Sequence, residues 1–193
     1  MILADDNFVT IVEAVKTGRH IYANIKKAIH FLIATNIGEI VAIFFGLLLG
    51  LETPLLAIQL LWINLVTDSF PAIALGMEKA ENDIMNLPPI NPRKGIFANG
   101  LWKKIFVEGT LIGVLVLIVY YIGFTKYNIN VARTMAFVSL GLIELVHSLN
   151  VKSNHSLLKS GLNINIYLVL AFVIGATLQI SLVSIASIAD VFN

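Results

Sequence analysis

The sequence predicts an all-α protein, a polytopic transmembrane helix bundle of about five spans with a short cytosolic stalk at its N-terminus. Hydrophobic residues make up 58% of the 193 residues and charged residues 13%, and the mean hydropathy is +0.86. A soluble domain carries about twice that share of charged residues. The apolar residues also fall in runs of about 20 or more, the length that a hydrocarbon core of about 30 Å requires.

Five apolar stretches are long enough to cross a bilayer, and the basic residues orient them. The predicted spans are Ala28–Leu51, Leu55–Leu75, Leu101–Phe124, Ala132–Val151 and Ile164–Ile188. Of the 13 Lys and Arg residues, only Lys126 and Arg133 lie on the side where spans three and four connect, and the other 11 lie on the opposite side. Because cytosolic segments carry the excess of basic residues, the N-terminus is expected in the cytosol.

The first span is expected to continue beyond the membrane. Residues 8–16 have helical periodicity, which Thr17-Gly18 is expected to interrupt. From Arg19 to Leu51 nothing stops a helix over about 33 residues, or roughly 50 Å, which exceeds the bilayer core. The cytosolic part is therefore either a stalk that transmits force or a frayed amphipathic lead-in.

Composition narrows the class of partner. A net charge of +1, with no basic patch of interleaved aromatic residues, argues against nucleic acid and leaves the lipid bilayer as the expected partner. The absence of cysteine excludes disulfides and thiolate metal sites. No signal-peptide pattern opens the chain. The odd number of spans and the abrupt ends lead us to expect a longer protein.

Three acidic residues, Glu39, Asp68 and Glu144, lie near the middle of three different spans. A carboxylate at a helix centre costs roughly 2.5–3.5 kcal/mol, so the three require roughly 8–10 kcal/mol of compensation. At 1.5 Å per residue, Glu39 lies about 16 Å from the cytosolic end of its span and the other two about 10 Å. The three carboxylates therefore lie at similar depths, where a cation or a proton can neutralise them.

Polar neighbours complete an oxygen-rich set. Asn36 precedes Glu39 by three residues, and Asn64 and Thr67 lie four residues and one residue before Asp68, so Asn36 and Asn64 each share a helix face with an acid. Alone in a span, such residues more often join helices than bind ions. Beside an acid they favour a hard cation such as Ca²⁺, which takes six to eight oxygen ligands. The candidate metal ligands are Asn36, Glu39, Asn64, Thr67, Asp68 and Glu144.

Pro71 lies in span two, three residues after Asp68, and predicts a broken helix beside the carboxylate. His147 is within reach of Glu144 but is expected to be a satisfied packing histidine, and Glu108 is expected to pair with the neighbouring lysines rather than bind a metal.

The spacings Gly46-x-x-x-Gly50 and Gly109-x-x-x-Gly113 predict close helix packing. No Walker loop, catalytic triad or metalloprotease pattern occurs.

Several ordered motifs resemble the C-terminal membrane half of a P-type cation-transporting ATPase of the calcium-pump, sarco/endoplasmic-reticulum-like class. Gly18-Arg-x-Ile-Tyr-x-Asn-Ile-Lys-Lys27 is similar to the family's exit from the phosphorylation domain, and Asn36-Ile-Gly-Glu39 to its fifth-helix cation motif. Leu60-Leu-Trp-Ile-Asn-Leu-Val-Thr-Asp68 resembles the sixth helix, and Asp83-Ile-Met-x-x-Pro-Pro89 the loop that follows. The resemblance covers essentially the whole chain.

The resemblance implies that the six candidate ligands coordinate Ca²⁺, with Asn64 distinguishing calcium pumps from sodium-potassium pumps and Glu144 favouring a second calcium site. Ser69 departs from the Gly of the animal pump. Residues 1–27 are expected to be the end of the phosphorylation domain and the stalk, and residues 28–193 the transmembrane domain. ATP, Mg²⁺ and the phosphorylated Asp belong to parts of the intact pump outside this chain, so the chain alone is expected to be inactive.

The function expected from the resemblance is export of Ca²⁺ from the cytosol by alternating access, with protons returning on the vacated carboxylates. An integral membrane protein of the cell membrane or an endomembrane is expected. Three alternatives stay open: a P-type pump for Na⁺ or another hard cation, a non-enzymatic channel or secondary transporter, and a packing unit with no transport role.

Overall fold

The computed structural model describes residues 8–80, 83–86, 88–89, 95–98, 100–152 and 165–185, and these residues form helices and loops with no strand among them. A π-helical turn, Ile63–Thr67, separates the second and third helices. The six α-helices are α1 Phe8–Leu48, α2 Ala57–Trp62, α3 Ser69–Gly76, α4 Leu101–Lys126, α5 Ile129–Val151 and α6 Ile166–Ser184.

Five helical segments are long and apolar enough to span a membrane, which confirms the predicted all-α bundle. The second span is composite and runs through α2, the π turn and α3, from Ala57 to Gly76. The observed helix ends lie within a few residues of the predicted ends in spans two to four, and α6 forms the fifth span. Helix α1 ends at Leu48, three residues before the predicted end of span one, and begins at Phe8, twenty residues before its predicted start at Ala28. The predicted ends of span five, Ile164 and Ile188, lie outside the described residues.

The interruption predicted at Thr17-Gly18 is wrong, because α1 is continuous over 41 residues, or about 60 Å. A single glycine costs a helix only about 1 kcal/mol, which the surrounding turns outweigh. The N-terminal part of α1 is also held by hydrogen bonds to the segment that follows α3. His20 and Asn24 both hydrogen-bond the carbonyl oxygen of Glu78 after α3, at 2.6 and 2.7 Å, and Arg19 donates to the carbonyl of Ile84 at 3.0 Å. These contacts favour a stalk over a frayed segment.

Close packing of α1 on α4 depends on two glycines of α4. A Cβ atom added to Gly109 would lie 2.6 Å from the carbonyl oxygen of Ala34, and one added to Gly113 would lie 2.6 Å from that of Gly38. This half of the glycine prediction is confirmed. Gly50 has a different role, because it lies in a turn after α1 with a φ of +72°, and no described atom is within 4 Å of its Cβ position.

We expect Gly113→Ala to destabilise the full-length protein by about 1–3 kcal/mol, because the added methyl group meets the carbonyl oxygen of Gly38 and the side chain of Val41 on α1. Gly18→Ala is the matched control, since no described atom lies within 4 Å of that position and Ala is the better helix former by up to about 1 kcal/mol. Thermal unfolding in detergent measures both. Equal melting temperatures for the two variants would contradict the close approach of α1 and α4.

Two apolar clusters pack the helices together at different levels. One contains buried residues such as Ala42, Ile63 and Leu140, and the other contains Phe31 and Leu75, among others. The acidic residue of α1, of the second span and of α5 lies between the parts of that segment that contribute to the two clusters. These residues are Glu39, Asp68 and Glu144. The bundle therefore holds one polar level between two apolar levels.

Candidate cation site

The three predicted acids are all buried at this polar level. Glu39 on α1 is 7% exposed, Asp68 at the end of the π turn is 1% exposed, and Glu144 on α5 is 0% exposed. Glu144 interacts electrostatically with Asp68 and with Glu39. The structure therefore brings together carboxyl groups that are distant in sequence, which their similar predicted depths allowed but did not require.

A π turn shapes the second span beside Asp68. The amide N–H of Asp68 donates to the carbonyl of Ile63 at 2.9 Å, a bond that spans five residues and widens the helix locally. Pro71 falls in the first turn of α3, where a missing N–H is tolerated. The predicted break is thus present, but it begins before the proline. Ser69 Oγ donates to the carbonyl of Asn64 at 3.3 Å and so partly satisfies a backbone group at the break.

Two hydrogen bonds connect α1 to the broken span. Asn64 Nδ2 donates to both oxygens of Glu39, at 2.9 and 3.2 Å. Thr35 Oγ1 donates to Asp68 Oδ2 at 2.8 Å. Sequence analysis missed Thr35, although it precedes Glu39 by four residues and so shares its helix face. The side chains of Glu39 and Thr35 on α1 therefore position the amide group of Asn64 and the carboxyl group of Asp68 on the second span.

Among the described residues, four oxygens at this level are buried with no hydrogen-bond partner: Thr67 Oγ1, Asp68 Oδ1 and both carboxyl oxygens of Glu144. Unpartnered buried acceptors are costly, and buried carboxylates more so. A proton neutralises one carboxylate, whereas a hard cation satisfies several oxygens at once. The chemistry available here is the binding of a hard cation or of protons.

Asn36 is the candidate that the structure does not bring to the others. It is exposed, and its Nδ2 donates to the carbonyl of Leu32 on its own helix at 2.7 Å. Within the described chain no hydrogen bond joins it to the other five candidates. Its position leaves its side-chain oxygen accessible from outside the described helices.

A buried amide network beside the site also escaped prediction. Gln179 on α6 accepts from Trp62 Nε1 at 3.0 Å and donates to the carbonyl of Phe137 at 3.0 Å. Gly141 makes room for this amide, since a Cβ added there would lie 2.9 Å from it. A glutamine in an apolar span was the available signal, because such side chains hydrogen-bond across helices. The network fixes α2 and α5 relative to α6.

The expected roles of His147 and Glu108 need correction. His147 is not satisfied, because its Nε2 atom is buried with no hydrogen-bond partner among the described residues. Glu108 does lie near Lys104, with 3.8 Å between Nζ and Oε1, as expected. It also forms a 2.5 Å hydrogen bond with His30 that sequence analysis missed. Helix periodicity alone does not show which faces of α1, α4 and α5 meet.

The fold and the site together define an integral membrane protein with a buried, oxygen-rich polar level. Residues 52–193 match the family model described as "Cation transporting ATPase, C-terminus", and the chain belongs to that family. It is 40% identical over its whole length to the "Calcium-transporting ATPase" of Bacillus subtilis (strain 168) and 45% identical to the "Calcium-transporting ATPase 1" of Lactococcus lactis subsp. lactis (strain IL1403). The chain spans 22% of the length of each of these curated relatives.

Proposed function

We propose that this chain is the cation-binding membrane part of an ATP-driven P-type pump that exports Ca²⁺ from the cytosol. The observation that carries the proposal is the set of four unpartnered buried oxygens beside Glu39, at the level where three spans each contribute a carboxyl group. Similarity of the whole of this chain to part of relatives named calcium-transporting ATPases supports Ca²⁺ as the cation.

The proposed ligands are the side-chain oxygens of Asn36, Glu39, Asn64, Thr67, Asp68 and Glu144. Asn64 donates its amide N–H to Glu39 in the structure, so its side chain must rotate to present oxygen to a cation. Thr35 acts as a positioning residue that holds the Asp68 carboxyl group. The exposed Asn36 is available to join ligands from parts of the pump outside this chain.

The long α1 helix is the proposed route by which phosphorylation moves the site. Residues 1–27 belong to the end of the phosphorylation domain and the stalk in this proposal, with the N-terminus in the cytosol. ATP and Mg²⁺ bind to other parts of the pump. A shift of α1 pulls directly on the broken span, since hydrogen bonds from Thr35 and to Glu39 connect the two. The cell membrane is the proposed location.

Phosphoenzyme formation in the full-length protein tests the proposal. We expect ATP-dependent phosphorylation that requires Ca²⁺ and that Na⁺, K⁺ or Mg²⁺ alone does not support. Phosphorylation driven by Na⁺ instead would identify a pump for another cation. Ca²⁺ flux through vesicles with no ATP dependence and no phosphoenzyme would favour the channel or secondary-transporter alternative.

Protons are the proposed counterions once Ca²⁺ leaves. Bare carboxylates at this depth cost several kcal/mol, and Glu144 has no hydrogen-bond donor among the described residues to offset that cost. We therefore expect Ca²⁺ uptake into vesicles to move protons in the opposite direction, measured with a pH-sensitive dye in the lumen. Transport with no proton counterflow, and no response to an imposed pH gradient, would contradict this step.

A further inference from the structure

A second group of side chains of metal-ligating type lies beside the oxygen-rich level, near the N-terminal end of α4. It consists of His30 on α1, Glu108 on α4 and His147 on α5, and one ligand atom from each lies within 4.8 Å of the others. His30 Nε2 is 2.5 Å from Glu108 Oε2, and His147 Nε2 is 3.9 Å from the same oxygen. Three helices therefore converge on a single carboxylate oxygen.

The two imidazoles are built into the bundle. His30 is 5% exposed and His147 6%, and the ring of Phe31 stacks on His147 with a centroid distance of 6.1 Å. The two imidazole rings stand at 79° to each other, with centroids 5.9 Å apart. His147 Nε2 points toward Glu108 yet has no hydrogen-bond partner among the described residues. A buried nitrogen with a free lone pair or proton is costly unless something binds it.

We propose that His30, Glu108 and His147 form a binding site for a divalent transition metal ion of the Zn²⁺ class. Two imidazoles and one carboxylate are a recognised zinc ligand set, which leaves the fourth tetrahedral position open to water. Imidazole nitrogens favour such ions over Ca²⁺, which prefers oxygen. The ion joins three helices through His147 Nε2, which has no other hydrogen-bond partner among the described residues.

Metal binding requires the three ligand atoms, which lie within 4.8 Å of one another, to move by no more than about 1.5 Å. Metal–ligand bonds of about 2.0–2.2 Å in a tetrahedron place ligand atoms roughly 3.3–3.6 Å apart. The His30–Glu108 contact must open by about 1 Å from its hydrogen-bonded length, and the His147–Glu108 contact must close by a few tenths of an ångström. Lys104 lies 3.8 Å from the other Glu108 oxygen and is half exposed, so it can turn toward solvent when the ion's charge arrives.

This site differs from the proposed Ca²⁺ site in its ligands and position. On α1, His30 precedes Glu39 by nine residues, a rise of about 13 Å. On α5, His147 is about one turn from Glu144, so the two sites are neighbours that share no side chain. Ca²⁺ in excess is therefore expected to leave the metal at His30, Glu108 and His147 in place.

Zn²⁺ titration of the purified full-length protein in detergent, with Ca²⁺ in excess, tests the proposal by calorimetry and by thermal unfolding. We expect the wild-type protein to bind Zn²⁺ and its melting temperature to rise with Zn²⁺ concentration. His30→Gln, His147→Gln and Glu108→Gln should each weaken binding at least about 10-fold, since even outer-shell changes at metal sites cost that much.

Two variants make the test decisive. Glu108→Gln keeps a hydrogen-bond partner for His30, so its fold is least disturbed. His20→Gln is the control, because His20 is a half-buried histidine of α1 that hydrogen-bonds to a backbone carbonyl and lies outside the group. The control should bind Zn²⁺ as the wild type does. The proposal is overturned if the wild type binds no Zn²⁺, or if binding is unchanged in Glu108→Gln and His147→Gln.

Discussion

Asp68→Asn in the full-length protein should weaken Ca²⁺ activation of phosphoenzyme formation by at least about 100-fold. Asn keeps an oxygen acceptor for Thr35, so the contact with α1 survives and the fold should remain intact. The substitution removes one negative charge from Asp68, a residue that is 1% exposed. At an effective dielectric constant of 20, two unit charges about 4 Å apart interact by about 4 kcal/mol, more than enough for this loss.

Glu52→Gln is the matched control for Asp68→Asn. Glu52 lies in the loop after α1, is exposed, and forms an ion pair with Arg133 at 3.3 Å. The same change of carboxylate to amide should leave Ca²⁺ activation within a factor of about two, because exposed ion pairs contribute only about 0–1 kcal/mol. Equal losses in the two variants would mean that Ca²⁺ responds to overall charge, and unchanged activation in Asp68→Asn would remove Asp68 from the ligand set.

Glu144→Gln should change two measurements in opposite directions. Ca²⁺ activation should weaken at least about 10-fold, because a carboxyl group 0% exposed and close to Asp68 and Glu39 loses its charge. The Ca²⁺-free protein should become more stable, by up to about 3 kcal/mol, the cost of a carboxylate at a helix centre. In the absence of Ca²⁺ the wild-type protein must bury that charge or take up a proton, whereas Gln requires neither.

Ca²⁺ titration of phosphoenzyme formation and thermal unfolding in Ca²⁺-free detergent measure the two effects of Glu144→Gln. If Glu144 binds Ca²⁺ and destabilises the Ca²⁺-free protein, the variant should show weaker Ca²⁺ activation together with a higher melting temperature without Ca²⁺. A lower melting temperature with unchanged Ca²⁺ activation would instead show that Glu144 has a structural role in packing α5.

Much of the fold followed from hydrophobic run length alone. A bilayer of fixed thickness demands about 20 apolar residues per helix, so the number and the approximate ends of the spans can be counted along the chain. The similar depth of each acid within its span follows from the constant helical rise. The structure buries Glu39, Asp68 and Glu144, and their carboxyl groups interact with one another. The π turn was predicted only as a break, since local sequence does not specify which backbone bonds shift.

The contacts between helices depended on the tertiary structure. Thr35 with Asp68, Trp62 with Gln179, and His30 with Glu108 each join residues that are 33 or more positions apart. Which helix faces meet is decided by the packing of glycines, apolar side chains and loops over the whole bundle. Sequence does not distinguish these faces, because lipid-facing and buried residues are both apolar. His147 shows the consequence, because the sequence predicted a packing histidine within reach of Glu144, whereas in the structure its Nε2 atom lies 3.9 Å from Glu108 Oε2.

By itself the sequence determined that this protein crosses a membrane about five times and carries carboxyl groups at a shared depth, because both properties depend on counting residues along a helix of known rise. Only the tertiary structure decided which oxygens remain without partners, which side chains hold Asp68 and Glu39, and that two histidines and a glutamate converge at the start of α4. Those features depend on the rotation of each helix about its axis, which is set by contacts between distant parts of the chain.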